Sequence, residues 1–411
     1  MSYPRFIKPR LLEACKDTPL LLLKGARQVG KSTLMQELIS SFKGHALSFD
    51  DPNILTSAKT DPAGFISQLQ TPVLLDEVQR APEVILPLKL RVDKDRTPGQ
   101  FLLTGSADFH TLPTIAESMA GRMEIRTLWP LSQGEINKKQ ETFLERAFQK
   151  NWPQHIPPLL KEELYSKILK GGYPEVLERN SAERRALWFD SYLEALIQKD
   201  IKAISAIEGI ESIPNLLMLL ASRSANLVNA ADIARVLGLN QSSVKRYISL
   251  LQAVFIIYKL KPWFSNINTR LAKAPKVYFL DSGLLAHLLR LPLKVGPLPP
   301  PYFGQVLENF VVSEILKQCS WQEKKIDAFH FRTQSGIKVD LVLQNREGQL
   351  VGIEVKSSST LSQKDFKGLL SFKEIAKDKF CSGILLYTGE SIVPFGENLW
   401  AVPIQALWES T

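Results

Sequence analysis

The 411-residue sequence predicts an α/β protein in which a parallel sheet with helices on both faces is followed by a mostly helical part and a second α/β part. Three observations support this prediction. Short apolar runs alternate with helical patterns in the first third, helical periodicity dominates from Glu162 to about Leu251, and strands and helices alternate again near the C-terminus. The length exceeds that at which one hydrophobic core usually stops growing. We therefore expect three domains, with the bounds 1–150, 151–300 and 301–411.

The composition is that of a globular protein and restricts where the protein could work. Hydrophobic residues make up 45% of the chain and charged residues 23%, which are ordinary globular values. The sequence contains no apolar run of transmembrane length, and its N-terminus lacks the pattern of a secretory signal. Three widely spaced cysteines and five single histidines predict neither a disulfide framework nor a zinc cluster. We therefore expect a protein of the reducing cytoplasm, without a membrane partner.

The apolar runs of the first third predict buried parallel strands. The run Leu20–Leu23 precedes a glycine-rich turn and a helical pattern over Lys31–Phe42. Further short runs, each ended by polar residues, are Ala46–Phe49, Val73–Leu75 and Phe101–Leu103. Continuous apolar runs of this length are typical of strands that helices cover on both faces. Residues 130–160 are polar and contain four prolines, so they predict a connecting segment.

The segment Gly25–Ser32 matches the phosphate-binding pattern G-x-x-x-x-G-K-[ST]. It lies between a predicted strand and a predicted helix, where backbone N–H groups converge on phosphate oxygens. Lys31 is expected to contact the β- and γ-phosphates of ATP, and the Ser32 hydroxyl to ligate Mg²⁺. The predicted nucleotide contacts are Gly25, Ala26, Arg27, Gln28, Val29, Gly30, Lys31, Ser32 and Thr33.

Polar residues behind the next strands complete a predicted hydrolysis site. Asp76 ends one strand and would hold the Mg²⁺ shell, while Glu77 beside it would polarise the attacking water. Thr104 and Ser106 end another strand with hydroxyls that would sense the γ-phosphate, although an ordinary strand-end turn is the alternative. Arg122 is a candidate arginine finger that reaches the nucleotide of a neighbouring subunit, and a salt bridge is its alternative. A finger of this kind implies a homo-oligomer, such as a hexameric ring.

The middle third carries the positive charge of the chain. It has 19 basic and 12 acidic residues, a net charge of +7, and the stretch Asn226–Lys276 has eight basic residues against Asp232 alone. Within it, a helix, a turn at Gly238 and a second helix capped by Asn240 predict a helix-turn-helix, followed by two strands that would form a wing. The predicted nucleic-acid contacts are Gln241, Ser242, Lys245, Arg246, Lys259, Lys261, Arg270 and Lys273. A solvated basic face or a protein-contacting lid is the alternative.

Two predicted strands near the C-terminus carry Asp340 and Glu354. Thirteen residues separate the two carboxylates, so a hairpin would bring them together. Lys356 is expected on the strand face of Glu354, and Glu308 on the preceding helix would add a third carboxylate. Carboxylates that hold Mg²⁺ or Mn²⁺ beside a water-positioning lysine form the site of a metal-dependent phosphodiesterase. The alternative is a module that binds or assembles without cleaving.

These motifs together resemble those of a large prokaryotic group of AAA-type P-loop ATPases with a C-terminal domain of unknown function. The segments that carry the resemblance are Gly25–Ser32, Leu74–Glu77, Leu102–Ser106, Ala120–Arg122, Gly171–Glu175, Tyr192–Glu194, Lys199–Ile201, Tyr278–Leu284 and Gly352–Ser358. The resemblance implies an AAA+ core, a winged-helix region and a restriction-endonuclease-like PD-(D/E)XK domain. Glu308, Asp340, Glu354 and Lys356 match the site of that last domain, although Val339 stands where the motif has proline.

The sequence therefore predicts an ATP-binding and ATP-hydrolysing protein that acts on nucleic acid, with DNA as the expected partner. Its expected cofactors are ATP and Mg²⁺, with Mn²⁺ or Mg²⁺ at the C-terminal carboxylates. The alternative is an ATP-dependent regulatory or assembly protein whose nuclease-like domain binds a partner without cutting it.

Overall fold

The computed structural model describes residues 3–106, 119–201, 210–264, 274–294 and 301–409. Within these ranges no helix has the length and apolar character needed to cross a membrane. The helices are α1 (Lys8–Asp17), α2 (Lys31–Ser41), α3 (Pro52–Thr60), α4 (Pro62–Gln68), α5 (Ile85–Lys94), α6 (Gln133–Asn137), α7 (Phe143–Gln149), α8 (Lys161–Lys170), α9 (Pro174–Leu177), α10 (Ala182–Ala195), α11 (Ile213–Ser222), α12 (Ala230–Leu237), α13 (Gln241–Ala253), α14 (Ser282–Leu288), α15 (Phe303–Trp321) and α16 (Lys367–Ala376).

The strands belong to three sheets. They are β1 (Leu20–Lys24), β2 (His45–Ser48), β3 (Val73–Asp76), β4 (Phe101–Gly105), β5 (Met123–Thr127), β6 (Ile257–Leu260), β7 (Lys276–Phe279), β8 (Asp327–Arg332), β9 (Lys338–Gln344), β10 (Leu350–Lys356), β11 (Phe380–Tyr387), β12 (Val393–Pro394) and β13 (Leu399–Pro403).

The first sheet is entirely parallel, with the strand order β2-β3-β4-β1-β5. Successive side chains of β1 enter different cores: Leu21 and Leu23 pack with α1 and α2, while Leu20 and Leu22 pack on the face covered by α3, α4 and α5. The predicted parallel sheet with helices on both faces is therefore confirmed. The edge strand β2 is partly exposed because only one neighbouring strand covers it, and β5 was not predicted.

The segment between residues 130 and 160 differs from the predicted polar connection. It contains the helices α6 and α7, and the polar side chains of Ser132, Gln133 and Glu135 are buried. Ser132 caps α6: its hydroxyl accepts from the Glu135 backbone N–H at 3.0 Å, and the Glu135 carboxylate accepts from the Ser132 N–H at 3.1 Å. The first polar residues of this segment are therefore buried with partners, whereas later ones such as Lys138 and Lys150 are exposed.

The middle part contains the expected pair of helices. Helix α12 ends at Gly238, whose φ of 65° places it in the left-handed region that favours glycine. Asn240 caps α13 by accepting a hydrogen bond from the Ser243 N–H at 2.7 Å. Strands β6 and β7 then form an antiparallel hairpin, and Leu227 forms a bridge to Lys276 at its edge. A helix-turn-helix followed by a β-hairpin is therefore present.

The C-terminal part is a mixed six-stranded sheet with the order β12-β13-β11-β10-β9-β8. Strands β9 and β10 are antiparallel, as the predicted hairpin requires, and β10 pairs with β11 in parallel. Leu341 and Ile353 pack in the core on the α15 face, whereas Val339 and Leu385 pack with α16 on the opposite face.

One hydrophobic core is continuous through all three parts of the chain. It includes Leu21 of the first sheet, Tyr247 of the helix-turn-helix and Ile353 of the last sheet. The β-hairpin is also hydrogen-bonded to the C-terminal sheet, because the Trp263 N–H donates to the His330 carbonyl at 2.6 Å and the His330 N–H donates to that of Lys261 at 2.9 Å. The three parts therefore fold against one another, and the domain bounds remain a prediction.

Candidate functional site

The phosphate-binding segment forms a loop between β1 and α2. A Cβ atom at Gly25 would collide with the carbonyl oxygen of Leu128, so this position accommodates only glycine. Gly30 has a φ of 91° and immediately precedes Lys31, the first residue of α2. The Lys31 ammonium is buried and donates to the Ala26 carbonyl at 2.8 Å. The loop thus holds a lysine and the N-terminus of a helix on one concave surface, as phosphate binding requires.

The predicted magnesium ligands lie together at the carboxyl edge of the sheet. The Ser32 hydroxyl donates to Oδ1 of Asp76 at 2.9 Å, and Asp76 is only 9% exposed. The fully buried hydroxyl of Thr104 donates to the same carboxylate oxygen. Sequence reasoning placed Ser32 and Asp76 here. It named the Thr104 hydroxyl only as a candidate γ-phosphate sensor together with that of Ser106, and it did not predict the contact of Thr104 with Asp76.

Glu77 has a conformation that is uncommon for a residue with a side chain. Its φ of 57° and ψ of 44° lie in the left-handed region, where strained residues at functional sites often occur. Its backbone N–H donates to the Thr104 hydroxyl at 3.0 Å. Its carboxylate accepts from the Ser106 hydroxyl at 3.2 Å and contacts the side-chain amide of Gln79, which also donates to Ser106 at 2.9 Å. Gln79 was not predicted as a site residue.

Arg122 forms an ion pair within its own chain. Its guanidinium binds the Asp93 carboxylate through two nitrogens, one of them 3.2 Å from Oδ2, and donates to the Ala120 carbonyl at 3.0 Å. The hydrogen bond from Arg122 lowers the pKa of Asp93. The salt bridge given above as the alternative is therefore formed, and the arginine-finger role stays a prediction.

A cavity of about 600 Å³ opens beside the phosphate-binding loop. Tyr3, Val29, Thr33 and Pro174 are among the residues that line it. Arg5 holds the N-terminal segment against the loop by donating to the Trp129 carbonyl at 2.6 Å and to that of Val29 at 3.3 Å. Sequence reasoning missed this cavity because its walls come from segments far apart in the chain.

The helix-turn-helix displays part of the predicted nucleic-acid surface. Four of those side chains are exposed on the first turns of α13: Gln241, Ser242, Lys245 and Arg246. Lys261 is exposed beside the hairpin, whereas Lys259 is half-buried and its burial lowers its pKa. Arg270 and Lys273 lie outside the described residues. The structure thus brings four of the eight predicted contacts onto one helix end.

The C-terminal carboxylates meet two lysines in a buried cluster. The Lys276 ammonium lies 2.8 Å from Oε1 of Glu308 and 3.1 Å from Oδ1 of Asp340. Lys338, which is half exposed, donates to the same Asp340 oxygen at 3.1 Å. Glu354 lies next to Asp340, close enough for a hydrogen bond between the two carboxyl groups. Lys276 was not among the predicted site residues, and the only sequence feature that pointed to it was its place in the basic stretch Asn226–Lys276.

The pKa values of the carboxyl groups in this cluster are shifted in opposite directions. Burial opposes ionisation of Asp340, but the lysines Lys276 and Lys338 outweigh it and hold the pKa of Asp340 well below its usual range. Burial and the neighbouring Asp340 charge raise the pKa of Glu354 well above its usual value. Burial and Asp340 also raise the pKa of Glu308. Asp340 is therefore the carboxyl group of the cluster that most favours the ionised form, whereas the raised pKa values of Glu354 and Glu308 favour their protonated forms.

The predicted metal-dependent arrangement differs from the observed one. No group of three or more His, Cys, Asp or Glu side chains in the described ranges is placed to hold a metal ion. The predicted trio of Glu308, Asp340 and Glu354 is brought together, but an ammonium lies between the first two. Lys356 pairs with Asp365 at 3.3 Å instead of joining the carboxylates, so its predicted catalytic role has no support from the geometry.

Comparison with protein families divides the chain into three matched segments. Residues 17–137 match the AAA domain family, residues 161–294 match a domain of unknown function (DUF8612), and residues 303–407 match another (DUF4143). The first part of the chain is therefore similar to AAA domains, and the middle and last parts are similar to domains of unknown function. The match agrees with the loop, the sheet order and the Ser32–Asp76 contact described above.

Proteins of other organisms, including some with solved structures, are similar to this chain over much of its length. Uncharacterized proteins of Mycobacterium tuberculosis and Mycobacterium bovis are each 28% identical over 396 residues, which cover 96% of this chain and 82% of theirs. A Walker-type ATPase of Pyrococcus abyssi matches with a TM-score of 0.43 and 16% identity, over 68% of this chain and 94% of that one. The Holliday junction branch migration motor RuvB of Thermotoga maritima matches with a TM-score of 0.31 and 16% identity, over 62% of this chain and 88% of that one.

Proposed function

We propose that this protein hydrolyses ATP with Mg²⁺ and couples the hydrolysis to DNA binding. The observation that carries the ATPase part is the meeting of Ser32 and Asp76 beside Lys31 at the N-terminus of α2. A hydroxyl and a carboxylate are oxygen donors of the kind that Mg²⁺ prefers, so these residues fit the ion. When bound, Mg²⁺ would neutralise charge on the β- and γ-phosphates.

The side chains around the loop have distinct roles in this proposal. Lys31 exchanges the Ala26 carbonyl for phosphate oxygens, because a dianionic partner attracts an ammonium more strongly than a neutral carbonyl does. Glu77 orients the attacking water and accepts its proton, while Ser106 and Gln79 hold the carboxylate in position. The cavity lined by Tyr3, Val29 and Pro174 receives the nucleotide base.

The exposed end of α13 supports the DNA part of the proposal. Its side chains are basic or polar, and the N-terminal turns of the second helix are the part of a helix-turn-helix that enters the major groove. The adjacent β-hairpin would serve as the wing of a winged helix. Contacts from Lys245 and Arg246 to phosphates would release counterions, so that affinity would fall steeply with salt.

Duplex binding at several salt concentrations tests this assignment. The double variant Lys245→Glu, Arg246→Glu should bind a labelled duplex more weakly, with a salt slope reduced by about two. The matched control is Lys377→Glu, Lys379→Glu, which makes the same change in net charge at exposed positions of the C-terminal part. Equal affinities and slopes for the two double variants would show that α13 faces something other than DNA.

A second candidate function follows from the C-terminal cluster. Pairing of Asp340 with two lysines favours a C-terminal domain that binds or assembles without cleaving. We infer that the wild-type chain does not cut linear, single-stranded or branched DNA in Mg²⁺ or Mn²⁺. Cleavage that disappears in Asp340→Asn and in Glu354→Gln would instead establish a nuclease.

A further inference from the structure

The buried acidic cluster already contains a cation, and that cation comes from another part of the chain. Lys276 lies on β7 of the hairpin, Glu308 on α15 and Asp340 on β9. The ammonium bridges carboxylate oxygens of both acids at 2.8 and 3.1 Å. Its side chain is 5% exposed, and those of the two acids are 11% and 2% exposed. The group that joins the two carboxylates is thus a lysine almost out of reach of solvent.

The carboxylate oxygens that would hold a metal ion are occupied by other donors. Oε1 of Glu308 also accepts from the Tyr278 hydroxyl at 2.7 Å. Oδ1 of Asp340 accepts from Lys338, and Oδ2 accepts from the Val355 N–H at 3.2 Å. The residue types suit a divalent metal ion, but the arrangement does not fit one while Lys276 is in place. A second cation at this position would lie beside the ammonium in a medium of low dielectric, where like charges repel strongly.

The fold holds the backbone of Lys276 in place beside the acidic cluster. Lys276 is paired with Leu260 in the hairpin and forms a bridge with Leu227 on its other side. The hairpin is in turn attached to β8 through backbone hydrogen bonds of Trp263 and Lys261 with His330, and the Trp263 ring packs edge-on against Phe372. Separation of the hairpin from the C-terminal sheet would therefore carry the ammonium away from the two carboxylates.

We propose that Lys276 is the resident cation of the Glu308–Asp340 cluster and excludes a divalent metal ion for as long as the β-hairpin stays docked on the C-terminal sheet. The hairpin is thus an autoinhibitory contact over a latent metal site. This inference goes beyond the proposed function, because it needs neither ATP nor DNA and stands even if the helix-turn-helix binds something else.

Calorimetric titration of the 411-residue chain with Mn²⁺ alone tests the proposal. Wild type and Lys276→Arg should bind no ion at this site, because each keeps a cation between the acids. Lys276→Met keeps the apolar stem without the charge, and it should bind one equivalent of Mn²⁺. That binding should be lost in the double variant Lys276→Met, Asp340→Asn. Lys338→Met is the matched control: it removes the other lysine on Asp340 but should behave like wild type.

Mn²⁺ binding by the wild type that depends on Asp340 would overturn the proposal, as would a folded Lys276→Met variant that binds none. If Lys276→Met does not fold in EDTA, its circular dichroism provides the second measurement. Mn²⁺ should then restore the folded spectrum, since the ion takes the place of the ammonium. A spectrum that stays unfolded in Mn²⁺, while Lys338→Met folds normally, would also overturn the proposal.

Discussion

The carboxylate of Glu314 accepts a hydrogen bond from the backbone N–H of Gln133 at 2.8 Å, although 181 positions separate the two residues. Glu314 also pairs with Lys317 at 2.6 Å, and Lys317 donates to the Leu131 carbonyl at 3.0 Å. Helix α15 of the C-terminal part is thereby attached to the segment that follows β5, the last strand of the first sheet along the chain. The same helix carries Glu308, so one helix reaches from the segment after the first sheet to the acidic cluster.

Removal of the Glu314 carboxylate should be costly. Glu314→Ala leaves Lys317 buried without its charge partner, which should lower the free energy of unfolding by about 3–5 kcal/mol. Chemical denaturation measures this change. The control is Glu37→Ala, which breaks the exposed ion pair with Lys8 and should cost about 1 kcal/mol or less. Similar losses of unfolding free energy for the two variants would contradict the conclusion that Glu314 attaches α15 to the segment after β5.

Substitutions of Lys31 and Glu77 should have different effects on ATP binding and ATP turnover. Lys31→Ala should lose nucleotide binding, because the cation that faces the phosphates disappears. Glu77→Gln should still bind ATP but lose turnover by about 10²–10⁴-fold, since only the proton acceptor is removed. Fluorescent-nucleotide binding and phosphate release measure the two effects, with the exposed Glu83→Gln as control. Wild-type turnover in either variant would contradict the assignment.

Thr104 should matter for turnover more than for ATP affinity. Its hydroxyl contacts the Asp76 carboxylate and accepts the Glu77 N–H, so Thr104→Val leaves both groups without their common partner. We expect a lower kcat with nearly unchanged nucleotide affinity, and recovery in Thr104→Ser, which retains the hydroxyl. A Thr104→Ser variant as slow as Thr104→Val would indicate that side-chain packing is what matters.

Two conservative changes in the acidic cluster should differ in their effect on stability. Asp340→Asn removes the ionised partner of buried Lys276 and should lower the free energy of unfolding in EDTA by about 3–5 kcal/mol. Glu354→Gln should have a small effect, because burial and the Asp340 charge raise the pKa of that carboxyl group and so favour its neutral form, and an amide can donate in its place. Thermal melts in EDTA compare the two variants. A stabilised Asp340→Asn protein would indicate repulsion between carboxylates, as a metal site predicts.

His330 should make stability depend on pH. Burial, followed by the Lys276 charge, lowers the pKa of His330 from 6.5 to about 4. Between these values the unfolded chain binds the proton and the folded chain does not, so stability rises with pH across this window. The contribution amounts to about 3 kcal/mol. Urea denaturation of wild type and His330→Gln across this window measures it, and parallel pH profiles would contradict the effect.

The sequence by itself determined the elements whose chemistry is local. The loop Gly25–Ser32 needs glycines, a lysine and a hydroxyl at consecutive positions of one turn, and the turn at Gly238 with its cap at Asn240 is likewise encoded within a few residues. Asp76 was found because a strand end places it at a predictable edge of a parallel sheet. Motifs that span only a few consecutive residues can be recognised from the sequence, since neighbours in the sequence remain neighbours in space.

Only the tertiary structure decided which charged residues are buried and with what partners. Lys276 belongs to a basic stretch, and Glu314 lies on an ordinary helix, so neither differs in sequence from a solvated residue. The segment 130–160 was interpreted as a connection for the same reason. A charge enters a protein interior only where the fold supplies a partner. Glu314 and Lys317 are three positions apart, but the partners of Lys276 and the backbone partners of Glu314 and Lys317 lie 32 to 186 positions away. Because Glu308 and Asp340 are far from Lys276 in the sequence, only the packing of the hairpin against the last sheet identifies Lys276 as the cation of the acidic cluster.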